Sequence, residues 1–107
     1  MILQQMVSNL NQDLLLIKER YTLARNGYQF DFDNEIKPFV QRVDHHMSEF
    51  KRYEHEVLGI QYFNQKHFNN LIQLIEDLSI TCHYPKTSLK IFMNQYKTVQ
   101  HHIQMLR

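Results

Sequence analysis

Residues 3–24, LQQMVSNLNQDLLLIKERYTLA, decide the fold. Leu3, Val7, Leu10, Leu14, Ile17, Tyr21 and Ala24 recur at alternating steps of four and three. That spacing lays a continuous apolar stripe along one face of a helix, whereas a strand's period of two would scatter it over both faces. Met6, Leu16 and Leu23 add apolar cover beside the stripe. Asn26 and Gly27 follow at once, and both tolerate the left-handed backbone that closes helices.

Working outward, the same test finds three more stripes. The second runs Ile36, Val40, Val43, Met47, Phe50, then Glu54 as one polar intruder with Tyr53 beside it, then Val57, before Gly59. Asp31, Asp33 and Asn34 are N-cap candidates for it, and Glu35 suits the positive end of the helix dipole. Pro38 belongs in its first turn or at a kink, and a start one turn later stays open because proline disfavours helical angles at Lys37. The third stripe runs Phe68, Leu71, Ile75, Leu78, Cys82, widened by Ile72 and Leu74, with Asn64 as cap and a stop at His83, Tyr84 and Pro85. The fourth runs Leu89, Phe92, Tyr96, Val99, Ile103, Leu106, capped by Thr87 or Ser88.

These stripes predict helices over about 2–26, 34–58, 64–82 and 88–106 in a single domain, 1–107. Matched lengths, short connections and an average step near 3.5 imply an all-α fold, an antiparallel up-and-down four-helix bundle. With two Gly and two Pro in the chain, the turns an all-β domain needs are missing.

Charge narrows the function classes. Twelve Lys and Arg against 11 Asp and Glu give no broad attraction for nucleic acid or an acidic membrane. The longest strictly apolar run, Leu14 to Ile17, is far below the roughly 20 residues that span a bilayer. A single cysteine excludes an internal disulfide, and Met1 to Gln5 show no secretory start; both point to the cytoplasm.

No catalytic constellation emerges, and no cofactor is implied. No glutamate is followed three residues later by histidine, as bundle di-iron sites require. Adjacent histidines, His45 with His46 and His101 with His102, diverge by about 100° on a helix and cannot chelate one ion together. His46 and His102 are the weak metal candidates, should the second and fourth helices bring them together. Cys82 closes an apolar stripe and reads as a small core residue rather than a nucleophile. Gly27 and Gly59 stand alone, so no glycine loop cradles a phosphate.

In an antiparallel bundle the first and third connections share an end, and that end collects Arg20, Arg25, Glu35, Lys37, Tyr84, Lys86, Thr87, Ser88 and Lys90. Dipole complementarity and capping alone would place many of these groups there. The same groups form a candidate interaction or anion site, with Lys86 and Lys90 beside the free N–H groups that open the fourth helix.

Several of these residues also carry a resemblance. Glu19, Arg20, Tyr21, Ala24 and Arg25; Phe32, Glu35, Lys37, Pro38, Phe39, Val40, Val43 and Asp44; and Tyr84, Pro85, Lys86, Thr87, Ser88 and Phe92 resemble the YppE-like family. These are small cytoplasmic helical-bundle proteins of Gram-positive bacteria without an established function. The resemblance implies a four-helix bundle and transfers no catalytic or metal-binding residue.

The sequence therefore leads us to expect a non-catalytic protein-interaction module that uses the charged end and binds an unidentified protein. A binder of a small phosphorylated anion at the same end is the alternative, and a histidine-based metal site is a more distant one. Pairing into a homodimer stays open, through an apolar strip near Met47, Tyr53, Tyr62 and Phe63.

Overall fold

A computed structural model describes residues 2–107, apart from the side chain of Ile2. The chain is all-α, with no strand among the described residues. Helix α1 spans Ile2–Arg25, a π-helical turn spans Phe32–Ile36, α2 spans Lys37–Lys51, α3 spans Glu54–Leu58, α4 spans Gln65–Thr81 and α5 spans Leu89–Met105.

Each end has a local cause. Gly27 takes φ 101°, and Tyr28 N–H bonds to Leu23 C=O while Gly27 N–H bonds to Ala24 C=O. This paired closure needs a left-handed residue at Gly27, where glycine bears no steric cost. Asn64 caps α4 reciprocally: its side chain accepts from His67 N–H at 2.9 Å, and its own N–H donates to His67 Nδ1 at 3.3 Å. The Ser88 hydroxyl accepts from Ile91 N–H to open α5.

The second expected helix, 34–58, is corrected in two places. Its start is a wide turn in which Ile36 N–H reaches back five residues to Asp31 C=O, and Lys37 N–H likewise to Phe32 C=O. Pro38 explains the widening, because it has no N–H to give and its ring crowds the carbonyl of the preceding turn. At the other end, Arg52 and Tyr53 N–H close on Glu49 and Phe50 C=O, only three residues back, and the helix stops. The interruption disposes of the polar intruder: Glu54 stays exposed and accepts from the Gln65 side chain at 3.1 Å, while Val57 is buried in the core.

The stripes meet in one core. Leu10, Leu14 and Ile17 of α1, Val43 and Phe50 of α2, Leu71, Ile75 and Leu78 of α4, and Phe92, Val99 and Ile103 of α5 are all buried in it. Helix α1 packs against α2, α4 and α5; α4 packs against α2, α3 and α5. Besides Glu54, the stripe positions Leu89 and Val40 miss the core, Leu89 being exposed and Val40 half-buried while its neighbour Phe39 is buried, and Leu3 packs partly buried against the core. The strip expected to support self-association does not exist as such, because Met47 and Phe63 are buried in the core and only Tyr62 is widely exposed. Among the described residues no helix is long and apolar enough to cross a membrane.

Tyr62 holds φ 67°, the one non-glycine residue with positive φ among those described. Its left-handed backbone swings the next residue, Phe63, into the core. A β-carbon in this conformation costs roughly 1–2 kcal/mol, so Tyr62→Gly is expected to raise unfolding stability by about 0.5–1 kcal/mol after the added freedom of the unfolded chain is counted. Chemical denaturation of the two proteins checks this.

Candidate functional site at the end of helix α1

Arg20 lies on the flank of the α1 stripe and reaches both neighbouring connections. Its Nη1 donates to Glu35 C=O at 3.1 Å in the π-helical turn and meets His83 Nε2 at 2.9 Å after α4. The guanidinium carbon sits 4.4 Å from the centre of the Phe39 ring and 5.3 Å from that of Phe30. His83 meets the same two rings edge to face. The result is a sandwich of one cation, one imidazole and two phenyl rings.

A guanidinium can only donate, so His83 Nε2 must accept. The proton therefore sits on Nδ1, which donates to Ile80 C=O at 3.3 Å. Burial holds the His83 pKa below its ordinary value; the hydrogen bond to Ile80 C=O opposes this, and the charge of Arg20 adds a smaller push in the same direction as burial. Neutral His83 fits the site; a protonated one would face Arg20 without an acceptor.

More bonds hold the third connection to α1. Tyr21 OH donates to Thr87 C=O at 2.6 Å, with its ring stacked on Phe92 at 3.8 Å. Arg25 Nη1 donates to Pro85 C=O at 3.3 Å, and the Thr87 hydroxyl to Thr81 C=O at 3.2 Å. Glu35 secures the first connection: it accepts from Asp31 N–H at 2.9 Å and from Tyr28 OH at 2.6 Å, and these two bonds hold its carboxyl below the usual range.

Of the candidate residues, Arg20, Arg25, Glu35, Thr87 and Ser88 thus come together as structural fasteners. Lys37, Lys86 and Lys90 are exposed, and none takes part in an ion pair among the described residues. Tyr84 is exposed beside them and belongs to a feature not foreseen from sequence, an apolar groove of about 230 Å³. Ile36 forms its buried floor, Phe32, Val40, Ile80 and Tyr84 its walls, and Lys37 and Gln41 its rim. Phe32 is 58% exposed, Ile80 48% and Tyr84 44%, three large apolar side chains open to water together. The available signal was Phe32, four residues before Ile36, which extends the second stripe one turn beyond its expected start.

The histidine candidates lie in separate settings. His46 Nδ1 meets Asp13 Oδ2, and Arg42 Nε donates to Asp13 Oδ1 at 3.2 Å, so the fully buried Asp13 carboxylate has a partner on each oxygen. Sequence reading missed Asp13. His102 lies against Phe63 and His67, its Nδ1 buried without a hydrogen-bond partner, and burial lowers its pKa. Among the described residues no group of three or more His, Cys, Asp or Glu could hold a metal ion. Cys82 is fully buried, and burial pushes its thiol up to about 12, which leaves no thiolate at neutral pH.

Residues 4–107 match the family described as "Bacterial domain of unknown function (DUF1798)". A crystal structure of a domain of that family from Staphylococcus aureus is similar with a TM-score of 0.92 and 27% identity, covering 97% of this chain and 91% of that one. A protein of unknown function from Listeria innocua shares the fold at a TM-score of 0.83 and 17% identity, covering 98% and 90% of the two chains. No curated protein matches the chain.

Because His83 and His102 both have lowered pKa values, the folded state binds fewer protons than the unfolded chain, whose histidines titrate near 6.5. Their contribution is complete above about pH 6.5 and is lost as pH falls through the folded values, by at most about 1.4 kcal/mol per pH unit for each group. Melting temperature is expected to drop between pH 7 and 5, and His83→Gln, which keeps an acceptor for Arg20 but cannot titrate, is expected to flatten that slope. Melting curves of the two proteins across this range provide the check; parallel slopes would contradict it.

Proposed function

The chain belongs to the bacterial DUF1798 family, and we propose that it is a non-catalytic protein-interaction module that presents the end built around Arg20 to another protein. The single observation that carries this reading is the exposure of Phe32, Ile80 and Tyr84 around one groove. Exposed apolar side chains gathered at a concave site are favoured for partner contact. Buried Cys82 and the commitment of Arg20 and His83 to each other support a role without catalysis.

In this reading the four long helices form an antiparallel up-and-down bundle, with α3 a short insertion, and the bundle is a rigid stage for its two decorated connections. The reading includes a cytoplasmic location and takes the YppE-like pattern as the Gram-positive signature of the same group. The anion alternative has less support: Arg20 and Arg25 are engaged by backbone carbonyls and Ser88 by its own helix.

Affinity capture from native extract tests the proposal, with the wild type as bait and a Phe32→Ser, Tyr84→Ser double variant of unchanged circular dichroism as control. At least one protein is expected to be retained by the wild type and lost with the variant. Identical capture by both baits would defeat the reading.

A further inference from the structure

We infer that the groove between the π-helical turn, the start of α2 and the end of α4 docks a short peptide segment that carries one bulky apolar side chain and a carboxylate close to it. This inference rests on the interaction reading and specifies the partner's chemistry.

Size comes first. A volume of about 230 Å³ lies below the roughly 300–1,000 Å³ of sites that enclose small-molecule ligands. It has room for one large side chain, with Ile36 beneath and Phe32, Val40, Ile80 and Tyr84 around it. Those walls offer an inserted group almost nothing to hydrogen-bond, so a polar group would lose its water without compensation. An aliphatic or aromatic anchor fits, and a phosphate or sugar does not.

The area speaks against a second copy of the chain as occupant. A stable pair of subunits buries about 800 Å² on each partner, far more than the exposed parts of three side chains supply. A short segment needs only a local pocket and a few flanking contacts, as in helix-in-groove and strand-type peptide recognition.

Charge supplies the second half of the motif. Lys37 stands on the groove's rim and has no ion-pair partner among the described residues. Asp33, one turn earlier, does not pair with it. A carboxylate within a few residues of the anchor would meet the Lys37 ammonium at the edge of an apolar surface, where the pair is less screened than in open water. A basic residue in the same place would be repelled, so Lys37 selects the sign of the flank.

The test pans a phage-displayed library of random 12-residue peptides against the immobilised full chain, then measures the enriched peptides as synthetic, fluorophore-labelled probes by anisotropy. Wild type, Ile80→Gln and Lys37→Glu are compared; both altered residues are exposed, and circular dichroism verifies their folding. Enriched peptides are expected to carry Leu, Ile, Met, Phe or Trp with Asp or Glu within four residues. Ile80→Gln and Lys37→Glu should each weaken them by about tenfold or more, and panning on Lys37→Glu should select basic flanks instead. Enriched peptides without acidic flanks, or binding indifferent to both substitutions, would overturn the inference. Self-association in sedimentation equilibrium that Ile80→Gln abolishes would also overturn it, by giving the groove to a second copy. If no peptide enriches while the Phe32, Tyr84 double variant still loses a captured protein, the inference falls and the interaction reading stands; if that capture is unselective as well, both fall.

Discussion

The contact between Arg20 and the two connections is the constraint on which the functional end depends. A guanidinium half-buried among two phenyl rings has given up part of its hydration, and it recovers that cost only through bonds whose geometry is fixed. Glu35 C=O and His83 Nε2 supply them. Because one partner follows α1 and the other follows α4, Arg20 sets the distance between connections far apart in sequence. The groove lies beside those same segments: Phe32 and Ile36 come from the first, Tyr84 from the second and Ile80 from the last turn of α4. Its width follows from a bond network that is not itself part of its lining.

Arg20 belongs to a row on α1 that includes Met6, Asn9, Asp13 and Leu16, parallel to the main apolar stripe. Asp13, two turns earlier in the row, is the other polar anchor and fixes α1 to α2 through Arg42 and His46. An apolar stripe tolerates sliding by a turn, because one leucine packs much like another. A buried carboxylate with a partner on each oxygen does not, since any slip leaves a charge unpaired. The two polar anchors therefore define register where the hydrophobic seam only defines contact, and the sandwich of Arg20 favours neutral His83 in the folded state.

The helices were legible in the sequence because their signal is repeated. Val7, Leu10, Leu14, Ile17, Tyr21 and Ala24 all fall where the period places them, as do Phe68, Leu71, Ile75, Leu78 and Cys82. Single-residue effects were harder to read. Pro38 marked an irregularity, but only the crowding of the preceding carbonyl decides that it becomes a π-helical turn. Glu54 marked a conflict, which the chain resolves by stopping α2 at Lys51. The candidate site was legible as a collection of residues at one end. Their roles were not, since donors and acceptors are matched by side-chain geometry: Arg25 and Thr87 became fasteners, while Phe32 and Ile80, outside the four stripes, became the open surface. Asp13 was hidden because a charged residue one step from a stripe looks the same whether it turns outward or finds a partner on the neighbouring helix.

The most direct measurement is amide hydrogen exchange on Arg20→Met, which keeps much of the side chain's bulk and removes every donor. The account predicts that the amides of Glu35 and Ile36, bonded to Asp31 C=O, and those of Tyr84 and Thr87 in the third connection exchange about tenfold faster or more, while Phe92, Val99 and Ile103 in the core keep their protection. Unchanged protection in both connections would contradict it, and would mean that helix packing alone builds this end of the molecule.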